Sequence, residues 1–271
     1  MAARVLIIAG SDPSGGAGVQ ADIKTVTALG GYAAAALTAL TVQNTKGVSQ
    51  VRQLPADFIR DQIVSVLDDV GADAIKIGMI GDAAAAHAVA DALAPVVESI
   101  PIVLDPVLVA TSGDALAAEG VVEALRGRLI PMATLITPNT DEATALSGVS
   151  IADPSDLERA ARCLCAGSEA GAGARAALVK GGHLKGETLV NALAVGEAVR
   201  RFETTRLPGP ELHGTGCTLA SAVAAYLAKG RDLEAAVEAA MAYVHEAIRT
   251  APAIGGGARP LNHAHPLRRD D

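Results

Sequence analysis

The chain has 271 residues, of which half are hydrophobic and only 2% aromatic, and its formal net charge is −8. This composition excludes a mostly disordered chain, and the acidic balance with so few rings argues against a partner nucleic acid. The three cysteines, at 163, 165 and 217, fit neither a disulfide scaffold nor a zinc site. The apolar runs are too short for a signal peptide or a membrane span, so we expect a protein of the reducing cytoplasm.

Short apolar segments alternate with longer amphipathic ones along the chain. The short segments predict strands, and the long ones, with apolar residues at helical spacing, predict helices. The predicted strands are residues 5–9, 34–42, 74–77, 102–104, 135–137 and 176–179, followed by a hairpin of 189–195 and 199–207. The predicted helices are residues 19–29, 55–70, 82–99, 140–146, 153–165, 216–227 and 233–250. This alternation predicts an α/β fold with an open, mainly parallel sheet and helices on both faces, in three layers.

The chain shows no internal boundary between domains. No linker or change of composition divides it, so residues 1–271 are predicted to form a single domain. The Gly- and Ala-rich segment 167–174 is predicted to be an insertion on the surface. Residues 251–271 are predicted to form a loosely packed tail.

Small polar clusters follow most of the predicted strands. They lie at residues 10–12, 43–44, 76–79, 104–106, 137–139 and 180–182. Any one of them could be no more than a solvated strand end. In open parallel sheets, however, ligands bind beyond the carboxyl ends of the strands. Six clusters in sequence therefore predict a binding site along one edge of the sheet.

The first of these clusters opens a glycine-rich loop that leads into a helix. Gly16, Gly18 and Ala21 imitate a dinucleotide-binding fingerprint. That motif needs an acidic residue about 20 positions later to bind a ribose, and no Asp or Glu lies between Asp22 and Asp57. The sequence therefore argues against a nicotinamide cofactor. Asp22 is either a ligand acceptor or a surface carboxylate favoured by the helix dipole.

A second glycine-rich loop, His-Gly-Thr-Gly-Cys, runs directly into a strongly helical segment. Gly214, Thr215 and Gly216 let main-chain amides converge at the helix start, which suits a phosphate or a developing oxyanion. Cys217 lies where a helix N-terminus typically lowers the pKa of a thiol. The alternative is a capping turn with a small buried cysteine. A cysteine phosphatase is excluded because position 223 is Val where that chemistry needs Arg.

Acidic and amide groups at two strand ends are candidates for organising a metal. Asp105, Asn139 and Glu142 suit Mg²⁺, which takes one or two carboxylates together with substrate phosphates, and they suit no zinc site. Lys180 is a candidate phosphate contact. The alternatives are a helix-start carboxylate for Glu142 and a solvated side chain for Lys180. Four histidines lack metal-ligand spacing and are expected at the surface or behind the site: His183, His213, His263 and His265.

Taken together, these motifs resemble those of the hydroxymethylpyrimidine/phosphomethylpyrimidine kinases, in the ribokinase-like superfamily. The resemblance runs in order from about residue 4 to residue 250 and extends to 260–266. The matching segments are residues 9–25, 41–45, 76–79, 104–107, 111–114, 137–143, 179–183 and 213–218. It implies transfer of the γ-phosphate of ATP, with Mg²⁺, to 4-amino-5-hydroxymethyl-2-methylpyrimidine and then to its monophosphate, in thiamine biosynthesis. It also implies a cytoplasmic enzyme, often a homodimer, with a small-molecule pyrimidine as its partner and neither nucleic acid nor membrane.

The resemblance also implies a role for each matching residue. Asp22 and Gln43 would hydrogen-bond the aminopyrimidine, since a carboxylate and an amide can read an exocyclic amine beside a ring nitrogen. The other implied pyrimidine contacts are Gly10, Met79 and Val107. The implied nucleotide and phosphate contacts are Asn139, Lys180, Gly214, Thr215 and Gly216, and the implied metal ligands are Asp105 and Glu142.

Two positions depart from the wider pattern. Most ribokinase-like proteins carry an Asp base at the position of Cys217, where this chain offers a thiol. A thiol with a lowered pKa could take the substrate's proton, so the sequence predicts that Cys217→Ala lowers turnover strongly. Some relatives carry Lys where this chain has Thr111, so no contribution of that lysine is assumed.

Three alternative functions stay open at this point. A pyridoxine or pyridoxal kinase of the same superfamily could use the same motifs, although Asp22 with Gln43 favours an aminopyrimidine. A non-catalytic pyrimidine-binding protein would be expected to lose the phosphate-side residues, which are present here. A thiol hydrolase built on Cys217 lacks an orienting His–carboxylate pair.

Overall fold

The computed structural model describes residues 2–109, 118, 120–167, 172–209 and 211–267. The strands are β1 (Arg4–Ser11), β2 (Tyr32–Asn44), β3 (Gly47–Gln53), β4 (Ala74–Ile77), β5 (Ile102–Leu104), β6 (Leu135–Ile136), β7 (Ala176–Lys180), β8 (Thr188–Val195), β9 (Ala198–Thr205), β10 (Leu212–His213) and β11 (Arg259–Pro260). The helices are α1 (Gly18–Ala28), α2 (Ala56–Asp69), α3 (Ala83–Leu93), α4 (Val121–Ala124), α5 (Thr140–Ser147), α6 (Pro154–Ala166), α7 (Thr215–Ala228) and α8 (Leu233–Arg249). A π turn (Leu125–Leu129) and a 3-10 turn (Ile130–Met132) continue α4.

Nine of these strands form one sheet, in the order β3-β2-β1-β4-β5-β6-β7-β8-β9. The pairs from β2 through β7 are parallel, whereas β3, β8 and β9 pair antiparallel at the two ends. The predicted fold class, an open and mainly parallel sheet covered by helices, is confirmed. No helix in the described part of the chain is long and apolar enough to cross a membrane.

The core lies in two layers because side chains alternate between the faces of each strand. On β1, Leu6 and Ile8 face the layer that contains α2 to α6, and Val5 and Ile7 face the layer of α1, α7 and α8. The central strands are buried on both faces, as all-parallel strands with helices above and below must be. Their carboxyl ends therefore meet along one edge of the sheet, which is where the polar clusters were predicted to converge.

The hairpin of β2 and β3 differs from the prediction. The sequence predicts that the second strand stops at residue 42, but β2 continues to Asn44 and turns back into β3. Gln43 consequently lies inside a paired strand, opposite Val48, and not beyond a strand end. Strand β3 was not predicted because it is a polar, exposed edge strand, so it shows little of the apolar pattern that indicates burial.

The end of the chain also differs. Residues 251–271 were predicted to form a loosely packed tail, but Leu261, Asn262 and His263 are buried. Strand β11 pairs with β10, and the Tyr243 hydroxyl donates a 2.7 Å hydrogen bond to the His263 carbonyl. Residues 268–271 lie outside the described residues.

Three smaller points concern segment ends. Helix α3 ends at Leu93, where a helix to 99 was predicted, because Pro95 has no amide proton with which to continue the helical hydrogen bonding. Within the predicted insertion 167–174, residues 168–171 lie outside the described residues, and Ala174 is buried. The segment 111–114, which includes Thr111, also lies outside the described residues.

Candidate active site

Hydrogen bonds join the carboxyl ends of most neighbouring parallel strands. These run from Thr41 Oγ1 to the Ser11 carbonyl (2.8 Å), from the Asp105 amide to the Ile77 carbonyl (2.8 Å), from Thr137 Oγ1 to Asp105 Oδ1 (3.1 Å) and from the Lys180 amide to the Pro138 carbonyl (2.9 Å). The Met79 sulfur also packs against Gly10, 3.2 Å from where a Cβ on that glycine would lie. These contacts connect neighbouring strand ends along one edge of the sheet, although Gln43 and Asn44 lie within the β2–β3 hairpin and Lys76 lies within β4.

The start of α7 is built from glycine because two loops meet there. Gly214 has φ 85°, and a Cβ on it would lie 1.9 Å from the Gly16 carbonyl oxygen, so no other residue fits. The helix has no side-chain cap, unlike α3, α5, α6 and α8, which begin at Asp82, Asn139, Asp153 and Asp232. The first amides of α7, at Thr215 to Cys217, are thus left for a ligand, and the helix dipole favours an anion there.

A lysine–carboxylate pair lies directly beside this helix start. Lys180 Nζ donates a 2.9 Å hydrogen bond to Asp105 Oδ1, and a Cβ on Gly216 would lie 2.9 Å from the same ammonium and 3.3 Å from Asp105 Oδ2. Burial by itself lowers the pKa of Lys180, but Asp105 and Glu142 outweigh it and raise that pKa. The ammonium therefore stays charged and adds to the positive potential of the α7 amides.

Asn139 and Glu142 form a capping box at the start of α5. The Asn139 side chain accepts from the Asp141 and Glu142 amides, both at 2.9 Å, and Glu142 Oε2 accepts from the Asn139 amide at 2.8 Å. Glu142 is thus a helix-start carboxylate, which was the alternative that the sequence left open. Burial also raises the pKa of Glu142 to about 7, with Lys180 opposing and Asp105 reinforcing the shift. The positive charge of Lys180 therefore does not fully offset the effects of burial and of Asp105 on the Glu142 carboxyl group.

The donor set here fits magnesium. In the described part of the chain no three His, Cys, Asp or Glu side chains cluster as a metal cage would require. Two carboxylates, Asp105 and Glu142, influence each other's electrostatics at this point, with Lys180 between them. Mg²⁺ is usually held by one or two carboxylates plus substrate phosphates and waters. The residues present therefore match a metal that arrives with a nucleotide.

Cys217 is half-buried in the first turn of α7, and its surroundings shift the thiol pKa in the direction opposite to the predicted one. Burial raises the pKa of the thiol to about 11; Lys76 lowers it, and Asp22 and Asp105 raise it further. The helix N-terminus does not compensate for lost hydration and two neighbouring carboxylates. The thiol therefore keeps its proton near neutral pH.

Asp22 is fully buried, which corrects the prediction that it contacts a ligand directly. Its Oδ2 lies 2.7 Å from Lys76 Nζ, and its Oδ1 accepts a 2.7 Å hydrogen bond from Ser221. Both oxygens are thus occupied inside the protein. Burial lowers the pKa of Lys76, but Asp22 and Asp105 outweigh it and raise that pKa, so the ammonium keeps its proton. Burial raises the pKa of Asp22, and Lys76 and Ser221 oppose that shift.

Lys76 belongs to the predicted polar cluster 76–79, but its buried pairing with Asp22 was not predicted. It lies in the middle of β4 with no exposed surface. A lysine is almost never fully buried unless it is paired. A charged residue inside the apolar run Ala74–Ile77 was the available signal, but its partner lies 54 residues away in the chain.

Gln43 lies next to a second buried polar group that the sequence analysis missed. Its side-chain amide is 3.1 Å from the Nε2 atom of His213, and that atom is 2.9 Å from Asp12 Oδ2. His213 and Asp12 are both buried, which excludes a surface location for His213. A cavity of about 430 Å³ opens beside Gln43 and His213, with Met79 and half-buried Val107 following the ends of β4 and β5.

Comparison with known proteins agrees with this geometry. Residues 12–262 match the family model described as phosphomethylpyrimidine kinase. A hydroxymethylpyrimidine/phosphomethylpyrimidine kinase of Streptomyces coelicolor is 46% identical over 97% of this chain and 95% of its own length. An ADP complex of Bacillus subtilis pyridoxal kinase superposes with a TM-score of 0.87 at 34% identity, over 99% of this chain and 100% of the other. A phosphomethylpyrimidine kinase of Clostridium difficile superposes with a TM-score of 0.78 at 37% identity, over 90% and 99%. The chain belongs to the phosphomethylpyrimidine kinase family.

Proposed function

We propose that this chain transfers the terminal phosphoryl group of ATP to the hydroxymethyl group of 4-amino-5-hydroxymethyl-2-methylpyrimidine, and then to the resulting monophosphate. Relatives that carry this activity in their names match nearly the whole chain. The observation that carries the proposal is the meeting of the uncapped α7 amides with the Lys180–Asp105 pair. His213, which contacts Gln43, immediately precedes Gly214 at the start of that anion site.

The phosphoryl group would lie against the α7 amides. Phosphoryl transfer passes through a loose transition state, so positioning and neutralisation of charge supply most of the catalysis. The amides of Thr215 to Cys217 and the Lys180 ammonium would stabilise charge on the transferred group. Asp105 and Glu142 would hold Mg²⁺, which when bound neutralises phosphate charge. Asn139 keeps Glu142 in place through the capping box.

The acceptor hydroxyl would approach from the side of Gln43. The Cys217 thiol holds its own proton, so it is a poor base and a better hydrogen-bonding or packing group for the hydroxymethyl. A loose transition state needs little base assistance, because the hydroxyl proton is lost late. Gln43 would bind the ring edge, and Met79, with Gly10 behind it, would pack on the ring. Asp22 would support this site through Lys76 and Ser221.

Pyridoxal kinase activity is the second candidate. It is favoured by the structural similarity to the Bacillus subtilis pyridoxal kinase, which is greater by TM-score than that to the Clostridium difficile phosphomethylpyrimidine kinase. A pyridine with polar substituents could use the same anion site. The two candidates differ in the edge of the heterocycle that Gln43 would read.

A coupled ADP-release assay tests these assignments. The purified chain is supplied with ATP and Mg²⁺ and with the hydroxymethylpyrimidine, its monophosphate or pyridoxal in parallel. We expect ADP release with both pyrimidines. Turnover of pyridoxal alone would replace the first candidate by the second, and pyrimidine binding without ADP release would establish a non-catalytic binding protein.

The partner and compartment are part of the same proposal. We place the chain in a reducing cytoplasm, which suits three free cysteines. We also propose a homodimer of single-domain subunits, consistent with exposed Leu40 and Val42 on β2. Light scattering on the purified chain checks the assembly.

A further inference from the structure

The amide of Gln43 lies between two polar side chains on opposite sides. In the structure the Gln43 oxygen, Oε1, lies 3.1 Å from Thr41 Oγ1, and the Gln43 nitrogen, Nε2, lies 3.1 Å from His213 Nε2. The oxygen of an amide can only accept hydrogen bonds and the nitrogen can only donate them. The two ends have nearly the same shape, so the protons of the two neighbours decide which end faces which neighbour.

Thr41 requires a donor from Gln43. The Thr41 hydroxyl has one proton and lies 2.8 Å from the Ser11 carbonyl oxygen. A carbonyl can only accept, so that proton belongs to this hydrogen bond. Towards Gln43 the hydroxyl oxygen can then only accept, and the group that faces it must be the NH₂.

His213 requires an acceptor from Gln43. Its Nε2 is 2.9 Å from Asp12 Oδ2, and the same carboxylate also accepts from the amides of Ser14, Gly16 and Ala17. Burial works against the charge of Asp12, but the hydrogen bonds from His213 and from the loop outweigh it and lower its pKa. An ionised carboxylate can only accept, so His213 Nε2 carries the proton. A protonated nitrogen cannot accept from an NH₂ group, so the Gln43 oxygen faces it and shares the Nε2–H proton with Asp12 in a three-centre hydrogen bond.

Both neighbours therefore require the same orientation independently. We propose that His213, held by Asp12, is a specificity-determining positioning residue that, with Thr41, fixes the Gln43 amide with its oxygen toward His213 and its NH₂ toward Thr41. The edge of the heterocycle then faces the Gln43 oxygen, an acceptor, and the Gln43 NH₂ group, a donor, in a fixed order. An amine donor beside a ring-nitrogen acceptor pairs with that order in one ring orientation only, which also fixes the direction of the hydroxymethyl group.

This inference rests on the proposed function for its substrate but not for its proton arrangement. Asp12 hydrogen-bonds His213, and the Ser11 carbonyl accepts from Thr41. Both residues lie where β1 leads into the first glycine-rich loop. His213 immediately precedes Gly214 and the start of α7. The same histidine thus connects the loop behind the ring site to the anion site. A heterocycle with the reversed polarity would leave a polar group unpaired, which is how such sites discriminate.

The first experiment measures the proton directly. Nitrogen-15 NMR of histidine-labelled protein, assigned with His213→Phe, reports whether Nε2 of His213 is protonated. We expect a protonated Nε2 without any substrate present. An unprotonated Nε2 would overturn the inference whatever the enzyme's substrate is, so its failure is distinguishable from failure of the proposed function.

The second experiment measures discrimination between hydroxymethylpyrimidine and pyridoxal. His213→Phe should raise the KM for the pyrimidine about tenfold, the effect of one hydrogen bond, with kcat within about threefold. The ratio of kcat/KM for pyrimidine over pyridoxal should fall by a similar factor. His213→Gln, which keeps an N–H donor for Asp12, should restore most of that ratio.

Folding is controlled within the same series. His213→Phe leaves Asp12 with its three backbone donors, so no buried carboxylate loses all its partners. His87→Phe, at an exposed position on α3, is the matched control and should match the wild type. An unchanged pyrimidine KM in His213→Phe would overturn the inference. So would equal losses on both substrates, because a merely structural histidine predicts those.

Discussion

Asp22 and Lys76 form an ion pair at 2.7 Å with both side chains fully buried. Removing one partner of such a pair strands the other charge and costs about 3–5 kcal/mol. We therefore expect Lys76→Met to lower the free energy of unfolding by that amount, measured by urea denaturation. The double variant Asp22→Asn with Lys76→Met should recover most of the loss. Arg128→Met, which breaks the exposed pair with Asp91, is the control and should cost less than about 1 kcal/mol.

The uncapped start of α7 predicts the effect of Gly216→Ala. The added Cβ would lie 2.9 Å from Lys180 Nζ, and a flexible lysine end can move away without unfolding the protein. Displacement of a catalytic group by about 1 Å costs about 100-fold in rate, so kcat should fall by that factor while the melting temperature changes little. Gly209→Ala, with no atom within 4 Å of the added Cβ, is the matched control. Wild-type turnover in Gly216→Ala would remove Lys180 from the phosphate site.

The raised pKa of Glu142 predicts that Mg²⁺ binding shifts the pH at which this carboxyl group titrates. Its pKa of about 7 means that the carboxyl group is protonated below pH 7 and ionised above it. Carbon-13 NMR of the apo protein, assigned with Glu142→Gln, should show this titration. Saturating Mg²⁺ with an ATP analogue should move the midpoint down, because a nearby cation favours the carboxylate. An unchanged midpoint would mean that Glu142 only caps α5.

The thiol of Cys217 predicts how alkylation depends on pH. Only the thiolate reacts, and with a pKa of about 11 its fraction rises tenfold for each pH unit through pH 7 to 10. The iodoacetamide rate should rise in parallel, measured in a background of Cys163→Ser and Cys165→Ser. A rate that is already constant from pH 7 to 9 would show instead that the pKa of the Cys217 thiol is lowered, as the sequence predicts. We expect Cys217→Ala to cost about tenfold in kcat, as for a lost hydrogen bond, and not the loss of a general base.

The hydrogen bonds of Arg206 predict that this side chain keeps the loop of residues 182–186 well ordered. Its guanidinium donates to the carbonyls of Gly182, Leu184 and Gly186, and those three bonds hold the loop closed around Lys185. Arg206→Met should therefore speed tryptic cleavage after Lys185 while the melting temperature changes little. Arg200→Met on β9, whose side chain faces Glu234 and Glu238, should leave that rate unchanged. An equal rate in both variants would show that Arg206 does not order the loop.

Much of the site could be predicted because its signals are local. A glycine pair before an apolar helical run, and polar residues directly after short apolar strands, depend on neighbours in sequence. The parallel sheet then brings those strand ends together, as the contacts of Asp105 with Thr137 and Lys180 show.

The remaining features depend on residues that are distant in the chain. His213 and Asp12 are 201 positions apart, and no local pattern connects them. The sign of the Cys217 pKa shift was wrong for a related reason. Sequence shows the helix start that lowers a thiol pKa, but burial and the neighbouring Asp22 and Asp105 come from tertiary packing.

The packing of residues 261–263 has a consequence for synthesis on the ribosome. His263 contacts Thr218 in the first turn of α7, 45 positions earlier in the chain. The anion-binding turn therefore lacks part of its support until residues 261–263 have been synthesised and have packed against it. A nascent chain that has not reached residue 261 would lack this hydrogen bond to the α7 turn.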